Sequence, residues 1–257
     1  MDFPFSLSPA NLAQLRQVQN SAEYQDFCKH FGSEISRLEA QAQQLLPRIP
    51  QLEGELPAGD LRTEYAAGSN LHRGFYCPSY VYDLFTGGAK RGRIIKKLSA
   101  KSKPSHRYLF HPDGRLLQSA ICGNGPSDIA AAEYLFYHDD TVTGIGISGS
   151  GKLQTISEER YDGKRLLHYL SCLVNGSSIG DLQAEYYRYE GDTLVGCELH
   201  RFMSAHGLPD EYKLLLPPEF LQPLHRVDRY TFLREEGRIV GYTRNGHTFP
   251  ITPSKKA

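Results

Sequence analysis

The sequence contains no tryptophan and carries no net formal charge, because its 29 Lys and Arg residues balance 29 Asp and Glu residues over 257 positions. Without an excess of positive charge, the chain as a whole has no field that attracts nucleic acid or an anionic membrane. It also lacks an apolar run of the roughly 20 residues that a membrane-spanning helix needs. The stretch from Met1 to Pro9 lacks the basic and apolar regions of a signal peptide. We therefore expect a cytoplasmic protein with no membrane partner.

Cysteine is scarce, with five residues, an odd number, and no Cys-x-x-Cys pair. Each cysteine lies among apolar neighbours, and a chain without a secretion signal is expected to keep its thiols reduced. We predict buried, unpaired cysteines that pack as small hydrophobic residues. The five are Cys28, Cys77, Cys122, Cys172 and Cys197.

Histidine and carboxylate spacing gives no sign of a metal or cofactor site. The nearest histidine pairs, His106/His111 and His200/His206, do not place two imidazoles on one helical face, as a His-x-x-x-His zinc site does. We expect no cofactor and no structural metal. Three adjacent carboxylate pairs lie at expected turns or strand starts, where solvated charge is the simplest interpretation: Asp139/Asp140, Glu158/Glu159 and Glu235/Glu236.

The sequence is rich in tyrosine and phenylalanine, with 16 and 12 residues, a composition that favours strands. Many of these rings fall in a recurring triplet, Tyr-x-aromatic. The triplets begin 28, 26, 25, 28 and 43 residues apart. The first four intervals are nearly constant, which indicates a repeated supersecondary unit, and the last holds an inserted loop. The triplets are Tyr80/Tyr82, Tyr108/Phe110, Tyr134/Phe136, Glu159/Tyr161 (a degenerate copy), Tyr187/Tyr189 and Tyr230/Phe232.

Each triplet is followed by a turn and by a second short strand that opens with Arg or Thr and an aliphatic residue. The turn signals include Asp113-Gly114 and Asp162-Gly163. A series of such hairpins predicts a long, twisted antiparallel sheet of about ten to twelve strands in meander order. Because side chains alternate along a strand, the rings should form a ladder across one face. This ladder is either core beneath an N-terminal helix or an open groove for a ligand.

The first fifty residues carry a helical pattern. Ser21 is the expected N-cap of a helix, and Pro47 and Pro50 close its far end. Gly32 lies inside the pattern and offers a point for a break, and a shorter helix beginning at Pro9 can precede this one. The apolar positions recur at steps of three and four, which predicts an amphipathic helix that packs on the sheet; they are Tyr24, Cys28, Phe31, Ile35, Leu38, Ala42 and Leu45.

These elements predict an α+β fold, in which an N-terminal helix or helices pack on a long antiparallel β-meander built from about six repeated hairpins. The helical segment occupies residues 1–50, a linker follows at 51–70, the hairpin sheet covers 71–247, and 248–257 form a C-terminal tail. Helix and sheet are expected to form one domain.

One hairpin resembles a known repeat. Residues 108–116, Tyr-Leu-Phe-His-Pro-Asp-Gly-Arg-Leu, are similar to the tyrosine-aspartate (YD or Rhs-type) repeat, Tyr-x-Tyr-Asp-x-x-Gly-Arg-Leu. His111 stands at the usual Asp and Phe110 at the second Tyr. Residues 160–166, Arg-Tyr-Asp-Gly-Lys-Arg-Leu, form a contracted version, and the resemblance extends loosely over 80–243. In that family the repeats are β-hairpins that build sheets around a cargo, so the resemblance implies hairpins without catalytic residues.

Two glycine-rich motifs match catalytic or nucleotide-binding signatures. Residues 146–152, Gly-Ile-Ser-Gly-Ser-Gly-Lys, match a phosphate-binding loop up to its lysine, but Leu153 stands where Ser or Thr would hold magnesium. Residues 176–180, Gly-Ser-Ser-Ile-Gly, match the nucleophile elbow of serine hydrolases, with Ser178 as the nucleophile. Both motifs require a helix directly after a strand. The hairpin pattern instead predicts strand-to-strand turns at both places.

Positive charge is concentrated in residues 87–107, which contain eight Lys or Arg residues and no acidic one, leaving 21 basic against 29 acidic residues elsewhere. Lysines on an edge strand discourage aggregation between sheets, and the same charges can bind an acidic protein surface or phosphates. Nucleic-acid binders usually interleave aromatic residues and carry a net positive domain, so a protein partner is favoured. The predicted partner-binding residues are Lys90, Arg91, Arg93, Lys96, Lys97, Lys101 and Lys103.

The sequence therefore favours a non-enzymatic, cytoplasmic protein-binding module whose partner has an acidic surface. An immunity-type protein that neutralises a partner toxin is the concrete form of this hypothesis. Two alternatives stay open: a hydrolase with a loop-built site around Ser178, and a nucleic-acid binder that uses residues 90–107.

Overall fold

A computed structural model of the chain describes residues 9–51, 61–69, 72–81, 91–99, 101–175, 178–203 and 223–251. These residues form two α-helices, α1 (Pro9–Gln19) and α2 (Ala22–Leu45), followed by one antiparallel sheet. Its strands are β1 (Arg62–Ala67), β2 (Arg93–Ile94), β3 (His106–Phe110), β4 (Leu116–Cys122), β5 (Ile129–His138), β6 (Thr141–Ser148), β7 (Leu153–Asp162), β8 (Arg165–Asn175), β9 (Ser178–Glu190), β10 (Thr193–Met203), β11 (Leu224–Glu235), β12 (Arg238–Arg244) and β13 (His247–Pro250).

The strands lie in nearly simple meander order. From β13 to β3 each strand pairs with its neighbour in the chain, and β1 then lies between β3 and β2. The described part of the sheet therefore has β2 at one edge and β13 at the other. The predicted α+β fold with a long antiparallel meander of hairpins is confirmed, and the sheet has 13 described strands where about ten to twelve were expected.

Five of the six predicted hairpins are present at their predicted positions, as the pairs β3–β4, β5–β6, β7–β8, β9–β10 and β11–β12. Turn chemistry explains their sharp boundaries, because Gly114, Gly163, Gly191 and Gly237 adopt positive φ angles between these strands.

The first predicted hairpin is wrong. Tyr80 lies outside the strands, where its N–H donates to the Tyr187 hydroxyl at 3.0 Å, and Tyr82 is outside the described residues. The short strand at Arg93 pairs instead with β1, which falls inside the predicted linker of residues 51–70. Ala66 in β1 is fully buried, because this strand closes the gap between β3 and β2.

The predicted C-terminal tail also begins too early. Strand β13 continues the sheet to Pro250, with Phe249 opposite Tyr242 and Thr248 opposite Thr243. Strand β13 has only four residues, so its pattern of side chains is a weak sequence signal. Residues 252–257 lie outside the described part of the chain.

Helix α2 begins and ends as predicted. The Ser21 hydroxyl accepts a hydrogen bond from the Tyr24 N–H at 3.2 Å, and a 3-10 turn at Leu46–Arg48 follows the last helical residue. The helix runs unbroken through Gly32. None of the described helices has the length and apolar run that a membrane span requires.

One face of the sheet is covered by α2. Phe31 and Leu38 are almost fully buried against Ile145 and Ile156 of β6 and β7. Two polar contacts fix the helix along its length: the Arg37 guanidinium binds Glu158 at 2.6 and 2.8 Å, and the Gln41 amide donates to Thr143 Oγ1 at 2.6 Å.

The opposite face of the sheet is covered by residues 72–81, so the aromatic ladder is split between the two faces. Tyr134 packs beneath α2, whereas Tyr108, Tyr187 and Tyr230 are buried on the face that residues 72–81 cover. The strand register explains this split. Tyr108 lies opposite Ser119 in β4, and Ser119 lies opposite Glu133 in β5, so Tyr108 is aligned with Glu133 and not with Tyr134. A one-residue offset turns a strand's side chains to the other face. Both parts of the ladder belong to the core.

The cysteines behave as predicted. All five are free thiols, and every one except Cys28 is buried. Burial raises the pKa of both Cys77 and Cys172 to about 12, so neither thiol ionises near neutral pH.

Candidate functional site

A buried charge cluster lies under residues 72–81. Arg73, whose side chain is 2% exposed, adopts a left-handed conformation with φ at 59°. Its guanidinium donates to both oxygens of Glu133 at 2.8 and 2.9 Å and to Ser157 Oγ at 2.9 Å, and it also donates to Glu159. Two carboxylates therefore share one cation, which leaves a buried excess of one negative charge.

Electrostatics hold Arg73 and Glu133 in their ionised forms. Burial alone would raise the pKa of Glu133, but the Arg73 charge and hydrogen bonds lower it to about 2. The two carboxylates raise the pKa of Arg73 well above its ordinary value, against the effect of burial. His72, whose Nδ1 lies 3.0 Å from the Tyr169 hydroxyl, has its pKa lowered by burial. Burial thus favours a neutral imidazole at His72, beside the ionised Arg73–Glu133 pair.

Two glycines of β6, Gly144 and Gly146, lie beneath polar side chains of the neighbouring strands, and Gly144 lies beneath the cluster itself. A Cβ at Gly144 would lie 2.9 Å from the Glu133 Cδ, and one at Gly146 would lie 3.3 Å from the Thr155 Cβ. The residues therefore need to be small because carboxylate and hydroxyl side chains lie over them. The loop itself joins β6 to β7, two paired strands with no helix after them, as the hairpin pattern predicted.

A cavity of about 500 Å³ lies beside the cluster on the same face. Its polar side is formed by Glu159, which accepts a hydrogen bond from Tyr161, and by Tyr137, which donates to the Leu116 carbonyl at 2.8 Å. The residues that line it are Arg73, Tyr76, Leu116, Leu135, Tyr137, Asp139, Asp140, Val142, Glu159, Tyr161 and Gly163.

Another buried carboxylate, Glu185 of β9, anchors the other end of the covering segment. It accepts hydrogen bonds from the Ser79 hydroxyl at 2.7 and 2.9 Å, from the Gln183 amide at 2.8 Å and from Tyr187. Burial raises its pKa, and no cation lies against it among these contacts. The arrangement fastens residues 72–81 to the sheet and has the character of a structural anchor.

The predicted partner-binding residues fall into three groups. Lys90 lies outside the described residues. Arg91 is turned inward, where it donates to the carbonyls of Phe75, Cys77 and Ser79 at 3.3, 2.6 and 3.2 Å, so it holds the covering segment in place. The remaining five side chains are exposed: Arg93, Lys96, Lys97, Lys101 and Lys103.

The five exposed cations, which we call the basic edge, lie in and just after β2. This strand forms an edge of the sheet and pairs with β1 through Ala66 and Ala67. Within the described part of the chain, none of the five forms an ion pair. Arg107, the last basic residue of the stretch, is half-buried and donates to Gln118 at 2.9 Å.

The sequence prediction missed the Arg73 cluster. Glu158 and Glu159 were expected to be solvated, yet both are buried, one facing α2 and the other facing Arg73. The sequence signal for their burial was their position inside β7. Adjacent residues of a strand face opposite sides of the sheet, and both sides are covered here. Asp139 and Asp140 do lie at an exposed turn, as expected.

The alternative hydrolase centre gains no support from geometry. Ser178 opens strand β9 opposite Asn175 of β8, so the residue belongs to an antiparallel pair and not to a strand-to-helix turn. Its side chain lies outside the described residues. Among those residues, no group of three or more His, Cys, Asp or Glu is placed to hold a metal ion.

A search against models of known protein families finds no match, and a search of curated proteins finds no similar sequence. Function is therefore inferred from the geometry of the basic edge, the Arg73 cluster and the cavity.

Proposed function

We propose that this chain is a non-enzymatic protein-binding module that binds an acidic protein surface through the basic edge. The observation that carries the proposal is the set of five exposed cations beside β2 that are free of ion pairs with any described residue. Cations that form no ion pair within the described part of the chain are available to pair with an external carboxylate. Complementary charge of this kind accelerates association and selects partners more than it adds affinity.

The position of the basic edge supports a protein partner. Strand β2 has two residues and, among the described strands, a pairing partner on one side only, so it offers few main-chain groups for strand addition. Its contacts with a partner must come mainly from side chains. Exposed lysines there also repel other basic edges, which keeps copies of the chain apart. The basic edge has no interleaved aromatic side chains on which nucleic-acid bases could stack. The rings of the nearby strand β3 are buried.

An immunity-type protein, which binds and neutralises a toxin, is the specific form that we propose. A sheet with both faces covered by its own chain, and with exposed positive charge at one edge, suits recognition of one partner through that edge. The resemblance of residues 108–116 to YD-type repeats also accords with a scaffold role.

The test is a quantitative capture experiment from the native cell. Arg93, Lys96, Lys97, Lys101 and Lys103 are changed together to Ser, and a matched control changes five exposed cations elsewhere to Ser: Lys29, Lys152, Lys164, Arg188 and Arg238. We expect one protein to be captured in near-stoichiometric amount by the wild type and the control but not by the edge variant.

Salt dependence gives an independent measurement. Raising the ionic strength from about 50 mM to about 500 mM should weaken the wild-type complex strongly and leave little further effect on the edge variant. Equal capture by the edge variant and the wild type would disprove the proposal. Binding of duplex or single-stranded DNA that is lost only in the edge variant would favour the nucleic-acid alternative.

A further inference from the structure

The cavity beside the Arg73 cluster has the size of a small-molecule site. Its volume of about 500 Å³ lies within the range of about 300 to 1,000 Å³ that is typical of ligand pockets. Leu116, Leu135 and Val142 form its apolar floor, and all three are more than nine-tenths buried. An apolar floor with a few convergent polar groups suits a ligand that has an aliphatic stem and one polar end.

The charges around the cavity favour a cation. Glu133 and Glu159 exceed Arg73 by one negative charge, and the turn at Asp139 adds another carboxylate that has no ion pair among the described residues. The other carboxylate that lines the cavity, Asp140, is balanced by Arg160 at 3.2 Å. The local excess is therefore two negative charges.

Arg73 cannot serve as an anion site in this arrangement. Its guanidinium has five N–H donors, and four of them are directed at Glu133, Glu159 and Ser157. The shared carboxylates also repel an incoming anion. A negatively charged ligand therefore finds neither a free donor set nor a favourable potential here.

Aromatic rings supply the second property of a cation site. Tyr76, Tyr137 and Tyr161 line the cavity, and the Arg115 guanidinium already lies 5.1 Å from the centroid of the Tyr137 ring. Tyrosine faces attract guanidinium and ammonium groups through the ring quadrupole. The Tyr161 hydroxyl donates to Glu159, which fixes that carboxylate in place beside the rings.

We infer that this cavity binds an organic cation, a guanidinium or alkylammonium group on a short aliphatic stem. The charged end lies near Glu159 and Asp139, and the stem lies on the floor formed by Leu116, Leu135 and Val142. The inference does not depend on the basic edge, because the two features share no residue.

The direct test compares two ligands of the same shape by NMR titration of the isotope-labelled protein. Arginine amide carries a guanidinium, and citrulline amide replaces it with an uncharged urea group. We expect arginine amide to bind about tenfold more tightly or better, a difference typical of one charge interaction at a partly buried site. Equal affinities, or no binding of arginine amide at millimolar concentration, would refute the inference.

Variants locate the site. Asp139→Asn keeps a residue that tolerates the left-handed φ of 42° at this turn, and Glu159→Gln keeps an acceptor for Tyr161 while Arg73 stays paired with Glu133. The double variant should lower the affinity for arginine amide about tenfold or more. Asp192→Asn, at another exposed turn, is the matched control and should bind as the wild type does.

A third variant keeps the test decisive if Glu159→Gln fails to fold. Val142→Phe places a ring in the cavity without altering a charge, and it should abolish binding while the amide spectrum elsewhere stays unchanged. Undiminished binding in this variant would place the ligand outside the cavity and overturn the inference.

The titration also separates two sources of the cation. Arginine within a blocked tripeptide tests for the side chain of a partner protein, and free arginine amide tests for a small metabolite. Binding of both ligands supports a protein side chain as the occupant, and binding of the free amide alone supports a metabolite.

Discussion

Replacing Arg73 with Met should destabilise the fold by about 3–5 kcal/mol, the usual cost of removing one partner from a buried ion pair. The side chain is 2% exposed and donates four hydrogen bonds, so no water can replace it without opening the covering segment. Its loss leaves Glu133 and Glu159 as two buried like charges. Globular domains are stable by about 5–15 kcal/mol, so the variant should still fold.

A matched control exists on the other face of the sheet. Arg37 also binds a strand carboxylate with two hydrogen bonds, but it is 42% exposed on helix α2. Arg37→Met should therefore cost less than about 1 kcal/mol. Urea unfolding followed by far-UV circular dichroism measures both variants, a suitable method for a chain without tryptophan.

The pH dependence distinguishes a charge effect from lost packing. In the wild type the pKa of Glu133 is lowered from 4.5 to about 2, so its contribution to stability is present above pH 4.5 and is lost as the pH falls towards 2. Without Arg73, burial and Glu159 raise that pKa instead. The deficit of Arg73→Met should therefore shrink between pH 7 and pH 4, because protonation relieves the buried repulsion.

Two outcomes would refute this reasoning. A cost equal to that of Arg37→Met would show that the Arg73 charge is not paired in solution. A deficit that stays constant with pH would show that packing, and not charge, is lost. Arg73→Met combined with Glu133→Gln and Glu159→Gln should recover most of the stability, since no uncompensated charge then remains buried.

Three further substitutions test other parts of the structure by the same unfolding measurement. Gly74→Ala should cost about 2 kcal/mol or more, because φ is +56° and the new Cβ would lie 2.8 Å from the buried ring of His106. Glu185→Gln should remove the loss of stability that the wild type shows as the pH rises above 4.5, because burial raises the pKa of this carboxyl. His225→Phe should flatten the loss of stability between pH 6.5 and 4, because burial and then His200 lower the pKa of His225 to about 4 and the unfolded chain takes up the proton first.

The hairpins could be predicted from the sequence because the information is local. A triplet, a turn glycine and an answering strand lie within about 15 residues of each other, and turn geometry then sets the pairing. Helix α2 was equally accessible, since its cap at Ser21 and its apolar stripe are both local signals. Strand β1 was missed because it lacks a triplet and its partner β2 is 26 residues further along the chain.

The faces and the charge cluster were not predictable in the same way. Which face Tyr134 occupies depends on its register against Tyr108, and the β4–β5 pairing carries a one-residue shift of register between Ile121 and Cys122. Arg73 meets Glu133 and Glu159 across separations of 60 and 86 residues, and no local pattern marks that contact. The sequence signal for an internal cation was limited to glutamates inside otherwise buried strands.

The two covering elements differ in chemistry, and this difference separates structural from functional positions. Helix α2 contributes mainly apolar side chains, whereas residues 72–81 attach through Arg73, Ser79 and the hydroxyl of Tyr108. A polar attachment needs specific hydrogen-bond partners in the sheet, so the residues at those strand positions are required for folding. Recognition is then left to positions that folding does not use. The basic edge beside β2 and the exposed turn at Asp139 beside the cavity are two such places, and substitutions there should alter binding with little change in the free energy of unfolding.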